Sequence, residues 1–346
     1  MSMVRSVSSV MILFGVAASH VGGQVLAGPQ GPVEFIGLER WSAPELLEAI
    51  QRIDPDQPLH ACAITMKSQL GFADAAVTAH YDSYSLEFLM SDEAVPYLVI
   101  VGVEDHARVR YIPAGADTVD LPEPWQSLKS EAEENFATLV VATEMFHSRH
   151  DIETLRQRTE FYGFDPTDLD PIWNRIEALA GDQDRLLAQE VLANDASWSS
   201  RATAASVLVN FTEHDAAWHA LMSAMIHPEV RVQGAAEAVL KGWIHSERVR
   251  PVRWDAASET VLALLDGTNP FVFPLVLRVL AATEIGSAFG RQVIREAPDL
   301  LLAYAGAEHE LTRESAIDLL EIVSGEDYGA NPEAWSEWLN RPPDDS

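Results

Sequence analysis

Apolar and polar positions change their rhythm near residue 115 of this chain. From 33 to 113 the pattern is mixed. Val33–Ile36 reads as a short strand. Ser42-Ala-Pro-Glu45 sets an N-cap, a proline and an acid ahead of an amphipathic stretch, which predicts a helix through Ile53. Pro58–Leu70 predicts a second helix, ended by Gly71. Ala75–Tyr81 and Tyr84–Met90 are β-like runs flanking the turn residues Asp82-Ser83. Val95–Val103 is almost continuously apolar, as a strand covered on both faces would be, while Arg108-Val-Arg-Tyr-Ile112 alternates like a strand with one wet face. Two helices followed by a meander predict a small α+β module with an antiparallel sheet over 28–113.

Pro113–Pro124, with Gly115 inside it, reads as a linker opening a helical connector over 114–182, with helices at Trp125–His147, Ile152–Tyr162 and Pro171–Leu179. From about 183 the text repeats itself. Arg201-Ala-Thr-Ala204-Ala205-Ser-Val-Leu208 places small or apolar residues at +3, +4 and +7 from the arginine. Arg231, Phe273 and Arg313 lead the same register, at spacings of 30, 42 and 40 residues. An amphipathic helix precedes each copy: Arg185–Leu192, Ala216–Ile226, Glu259–Leu265 and Phe289–Ala303. A helical hairpin cannot bury its apolar face alone, so four copies in one register predict stacked hairpins, a mainly α chain ending in an α-solenoid over 183–346.

Pro228-Glu-Val-Arg231-Val-Gln-Gly-Ala-Ala236 closely resembles the second helix of HEAT repeats, in the bacterial HEAT-like subgroup named after phycobilisome lyases. Ser324-Gly-Glu-Asp-Tyr-Gly329-Ala-Asn-Pro-Glu-Ala-Trp335-Ser-Glu-Trp338 looks like the closing turn and capping helix of exported bacterial HEAT-repeat proteins. The resemblance covers about 183–340 and implies an ARM-type superhelix acting as a binding scaffold. No lyase residue is matched, so that activity is not implied.

Charge narrows the partners. Against 53 Asp+Glu stand 23 Lys+Arg, a formal −30. Lys67, Lys129 and Lys241 are the only lysines. Such a chain is repelled by phosphate backbones and anionic lipid, so neither nucleic acid nor a membrane surface is an expected partner. The single cysteine, Cys62, excludes an intramolecular disulfide and a cysteine-based zinc site, and its helical setting predicts a buried, inert thiol. Arg5, the apolar run Val10–Ala18 and the small residues of Val25-Leu-Ala27 read as a signal peptide over 1–27. The expected location is periplasmic or secreted, with cleavage after Ala27 and a rival site after Ala18. No membrane insertion is expected once the signal is removed.

Few residues carry candidate chemistry. Glu144, His147 and His150 share a helix end in metal-like spacing, yet lack the second Glu-x-x-His of such sites, and cations suit a helix C-terminus. Asp165, Asp168 and Asp170 miss the calcium-loop spacing, and Asp168 or Asp170 reads as the cap of the helix beginning at Pro171. Gly325–Pro332 reads as a helix-capping loop. No catalytic residue, metal ligand or cofactor is assigned. The candidate partner-binding residues are Trp243, Arg248, Arg250, Arg253 and Trp254, because three arginines bracketed by two indoles stand out in an acidic chain. The expected function is an exported, non-enzymatic scaffold that binds another protein, its identity open. The alternative is an enzyme or small-ligand binder with its pocket in the α+β module or at its junction with the solenoid.

Overall fold

The two most apolar runs of the first hundred residues form the middle of a small sheet, β2 (Gly31–Ile36) beside β4 (Tyr97–Val103). They pair in parallel. β3 (Asp74–His80) lies antiparallel to β4, and β1 (Gln24–Gly28) antiparallel to β2. The structure, a computed structural model, describes residues 23–342 apart from 84–87, 89, 90, 92, 93, 152, 154, 158 and 160–162. Among the described residues the chain is mainly helical, with this one mixed sheet.

The antiparallel sheet expected from the sequence is therefore corrected at its centre. A parallel pair needs a long crossover, and α1 (Ala43–Ile53), α2 (Cys62–Gln69) and β3 all lie between β2 and β4. β1 falls in the stretch read as the end of a signal. Tyr84–Met90, apart from Phe88, lies outside the described residues. Arg108–Ile112 joins no sheet. α1 begins as its sequence predicts: the Glu45 carboxylate accepts hydrogen bonds from the N–H and hydroxyl of Ser42.

The sheet is covered on both faces. Val33, Phe35, Ala75, Leu98 and Ile100 pack against α1 and α2, together with buried Cys62 and Met66. Burial pushes the Cys62 thiol up to about 12, so it stays protonated and inert as expected. Ile36, Val99 and Val101 alternate onto the opposite face, where they join the core of the helical part.

The helical part opens with α3 (Glu123–Glu134), α4 (Phe136–Met145) and α5 (Asp170–Glu177). The single helix expected over Trp125–His147 breaks at Asn135. Ile152–Tyr162 lies partly outside the described residues. The expected aspartate cap before Pro171 is not formed: α5 has no side-chain cap, and Asp165 instead caps the short turn of helix before it.

Four successive units then follow. They are α6 (Asp182–Asn194) with α7 (Trp198–Val207), α8 (Asp215–Ala224) with α9 (Val230–His245), and α10 (Ser258–Leu265) with α11 (Phe273–Ala282). The last unit sets α12 (Ser287–Glu296) and α13 (Asp299–Ala305) against α14 (Glu310–Ser324). Its first helix, expected as one element over Phe289–Ala303, is split around Pro298, which has no N–H to continue a ladder. α6, α8, α10 and α12 pack in series, as do α7, α9, α11 and α14. Of the eight +3 and +4 residues six fill the core, Ala204, Ala205, Ala235, Val276, Leu277 and Ala316 being fully buried, while Gly234 and Ile317 are half-buried.

α4 lies along the outer side of α9, and Gly242 allows it. A Cβ there would stand 2.5 Å from the Glu144 carbonyl oxygen. α15 (Pro332–Asn340) closes the far end, with Asn331 capping it and the Trp335 indole N–H donating to the Gly329 carbonyl at 2.8 Å. Gly325, in a left-handed conformation, ends α14, so this loop caps both helices as its sequence predicts.

The stretch expected to be a strand and then a linker does something else. Residues 105–119 run as an extended strap across the turns inside three successive helix pairs. Arg108 Nε donates to the Asp266 carbonyl at 3.0 Å, and the Arg110 N–H to Thr268 Oγ1 at 2.8 Å, both in the α10–α11 turn. The Ile112 N–H reaches the Ile226 carbonyl of the α8–α9 turn at 2.9 Å. Asp117 exchanges backbone hydrogen bonds with Asn194 and Ala196 of the α6–α7 turn. The sheet takes over where the strap begins. Asp74 accepts from the Asn269 N–H at 3.2 Å, and Glu34 from the Glu308 N–H at 2.6 Å and the His309 N–H at 3.3 Å. Turn carbonyls and amides are unpaired in the helices themselves, and this is where they find partners.

Candidate functional site

The sequence-predicted binding residues separate into two groups. Trp243 and Trp254 are core residues, 0% and 1% exposed. Their indole N–H groups donate to the Val209 carbonyl at 3.0 Å and to Thr283 Oγ1 at 2.9 Å. As surface anchors they are corrected, because a buried indole with its N–H satisfied offers a partner nothing. Arg250 is turned back onto the chain, donating to Asp215 at 2.5 Å and to the Thr212 carbonyl at 3.1 Å. Burial pushes the Asp215 carboxyl up, but hydrogen bonds from Arg250 and from the Arg253 N–H outweigh it and hold the group below its ordinary range. Arg248 is exposed. The Arg253 side chain is 91% exposed and touches Asp215 only at 3.7 Å. Of the five, Arg248 and Arg253 are left free to face a partner.

Sequence reasoning missed a second feature. Val230, Phe271 and Leu311 are large apolar residues exposed by 69%, 55% and 53%. Each sits within two residues of the start of the second helix of a pair: α9, α11 and α14. In the first pair the helix begins at Trp198, three residues before Arg201, and its ring is covered by the Arg231 guanidinium at 3.7 Å. Their offset from the leading residue of each repeat was readable in the sequence; their exposure was not.

A third feature is a cleft of about 710 Å³ between the loop after β2 and the last helices. Its apolar lining includes Leu38, Trp41, Leu302 and Leu339. Glu39, Arg40, Glu45, Arg108, Arg295 and Asp299 supply its charges. The loop is held by an internal anion. The buried Glu104 carboxylate accepts from the N–H groups of Glu39, Arg40 and Trp41 and from Arg40 Nε at 2.8 Å. Arg108 crosses the junction, bridging Glu39 at 2.5 Å and Asp266 at 3.3 Å.

Where the sheet meets α14, His80 and His309 stack with ring centroids 4.3 Å apart, and Tyr97 lies 4.5 Å from His309. Tyr97 donates to Glu34 at 3.1 Å, and His80 Nε2 lies 3.2 Å from Thr312 Oγ1. Burial, and then the neighbouring His309, push the His80 imidazole down to about 4, so both rings are neutral at pH 7. The metal-like cluster is differently employed: His147 Nε2 pairs with the Val209 carbonyl at 2.9 Å, and Glu144 is buried near His245. Among the described residues no group of three or more His, Cys, Asp or Glu could hold a metal ion, and no helix is long and apolar enough to cross a membrane. Comparison with known protein families, curated proteins and solved structures finds no match to this chain.

Proposed function

We propose that this protein is an exported, non-enzymatic interaction scaffold, a HEAT-like α-solenoid that binds another protein through its helical surface. Serial packing of first helices on first helices and second on second supports the solenoid reading. The observation that carries binding is the recurrence of exposed Val230, Phe271 and Leu311 near the start of the second helix in three consecutive pairs, one or two residues before each repeat's leading residue. A single exposed apolar side chain needs no explanation, whereas a repeated one is what a protein interface uses for its core. Arg248 and Arg253 suit a polar rim.

The test is affinity capture from an envelope extract, comparing the unaltered chain with Val230→Ser/Phe271→Ser/Leu311→Ser. The triple variant is expected to lose the captured protein while keeping its circular dichroism melt, since all three side chains are exposed. Equal recovery by both would overturn the assignment. Arg248→Ala/Arg253→Ala should weaken capture less.

For export, β1 favours removal after Ala18 over removal after Ala27, because the later cut would take Gln24–Ala27 out of a paired strand. N-terminal sequencing of the exported protein decides: a start at Ser19 fits, and a start at Gly28 contradicts it.

A further inference from the structure

We propose that the junction cleft is a binding site for an organic cation, a protonated amine carried on a compact apolar body. The space, about 710 Å³, is that of a small-molecule pocket, and it lies where two structural parts meet. Trp41, Leu38, Leu302 and Leu339 offer the body an apolar wall, and an indole is also the best aromatic face for a cation.

The sign of the ligand follows from which charges are already spent. Three arginines line the cleft, and each is committed to the protein. Arg40, although its side chain is 69% exposed, holds Glu104 through Nε and the Glu104 carbonyl through Nη2. Arg108 is shared between Glu39 and Asp266. Arg295 donates to the carbonyls of Leu339 at 3.0 Å and Arg341 at 3.2 Å. The acids have more to give. The Asp299 side chain is 74% exposed, and Arg108 approaches it only to 3.8 Å. Glu45 uses its carboxylate only on the cap of its own helix, leaving acceptor sites open toward solvent. Because Arg40 and Arg108 also serve Glu104 and Asp266 behind the wall, the balance at the cleft is acidic. The −30 of the whole chain adds to it, raising the local concentration of cations and repelling anions. This inference stands whether or not the helical surface binds a protein.

Titration calorimetry on the full chain with hexylammonium, hexanoate and 1-hexanol separates head from tail. Hexylammonium is expected to bind about tenfold tighter than either of the others, and to weaken as salt is raised. Asp299→Asn should reduce hexylammonium affinity about threefold to tenfold, leave 1-hexanol unchanged and keep the melting temperature. Trp41→Ala should weaken hexylammonium and 1-hexanol together. Hexanoate binding as tightly as hexylammonium, no heat from any probe, or indifference of hexylammonium to Asp299→Asn would each overturn the proposal.

Discussion

Residues 105–119 and 246–254 are both irregular, arginine-bearing stretches, the first read from the sequence as a strand and linker and the second as a binding loop. They are attached to the same helices by opposite means. The strap 105–119 is held by backbone and polar contacts spread over three turns, with no large side chain fully buried. The loop 246–254 adds buried indoles to its polar contacts, Trp254 at its end and Trp243 in the last turn of α9 before it, beside Arg250 on Asp215 and the Thr212 carbonyl. Arg248 and Arg253 decorate this anchored loop, while Arg250 helps to fix it. Distributed attachment suits a segment that ties a sheet to a series of helix pairs; concentrated attachment suits a connection that only has to close one gap.

Substitutions should separate the two. Trp254→Ala removes a buried ring and the indole donor to Thr283 Oγ1, and is expected to cost about 3–5 kcal/mol, read as a fall in the urea midpoint. The strap should yield less per residue. Gly115→Ala is its most sensitive point, because a Cβ there would overlap the Asn194 carbonyl and the buried Arg201 guanidinium. Overpacking of that kind costs about 1–3 kcal/mol. A loss as large as that of Trp254→Ala would mean that the strap, too, hangs on one contact.

The third attachment, at the sheet edge, carries a pH signature. His80 titrates near 4 in the folded protein and near 6.5 when unfolded, so the unfolded chain binds its proton first. Stability is then full above pH 6.5, falls as pH drops toward 4, and levels off below it. The ring stacks on His309 and meets Thr312, and around His309 lie Tyr97, Glu34, Glu310 and Arg313. Allowing for partial exposure, His80 contributes on the order of 1 kcal/mol to that slope. His80→Gln should flatten the melting temperature between pH 6.5 and 4, and an unchanged slope would remove His80 from the account. The smallest effect is expected at Arg253→Ala, within about 0.5 kcal/mol, since its side chain is almost wholly in water.

The helix pairs were legible because each carries its own 3.6-residue period, and the copies at Arg201, Arg231, Phe273 and Arg313 share a register. The capping of α1 by Ser42 and Glu45 was legible for the same local reason. The parallel β2–β4 pair was not, since a strand does not record which neighbour it will choose. Nor was the strap: Arg108–Ile112 alternates as a strand does, but its partners are turn groups arriving from Ile226, Asp266 and Thr268. The cleft brings Trp41 beside Leu302 and Leu339, and nothing near Trp41 announces those partners. The Trp243–Trp254 stretch was conspicuous in composition, but composition does not say which way an indole points.

The central claim is that sheet, strap and helix pairs form one cooperative unit. Hydrogen exchange followed by mass spectrometry tests it most directly, comparing peptides covering 97–103, 105–119 and 230–245. The amides of Ile112 and Asp117 should be protected, and on adding denaturant all three peptides should lose protection together, at one midpoint. Full exchange of 105–119 within seconds while 230–245 stays protected would contradict it.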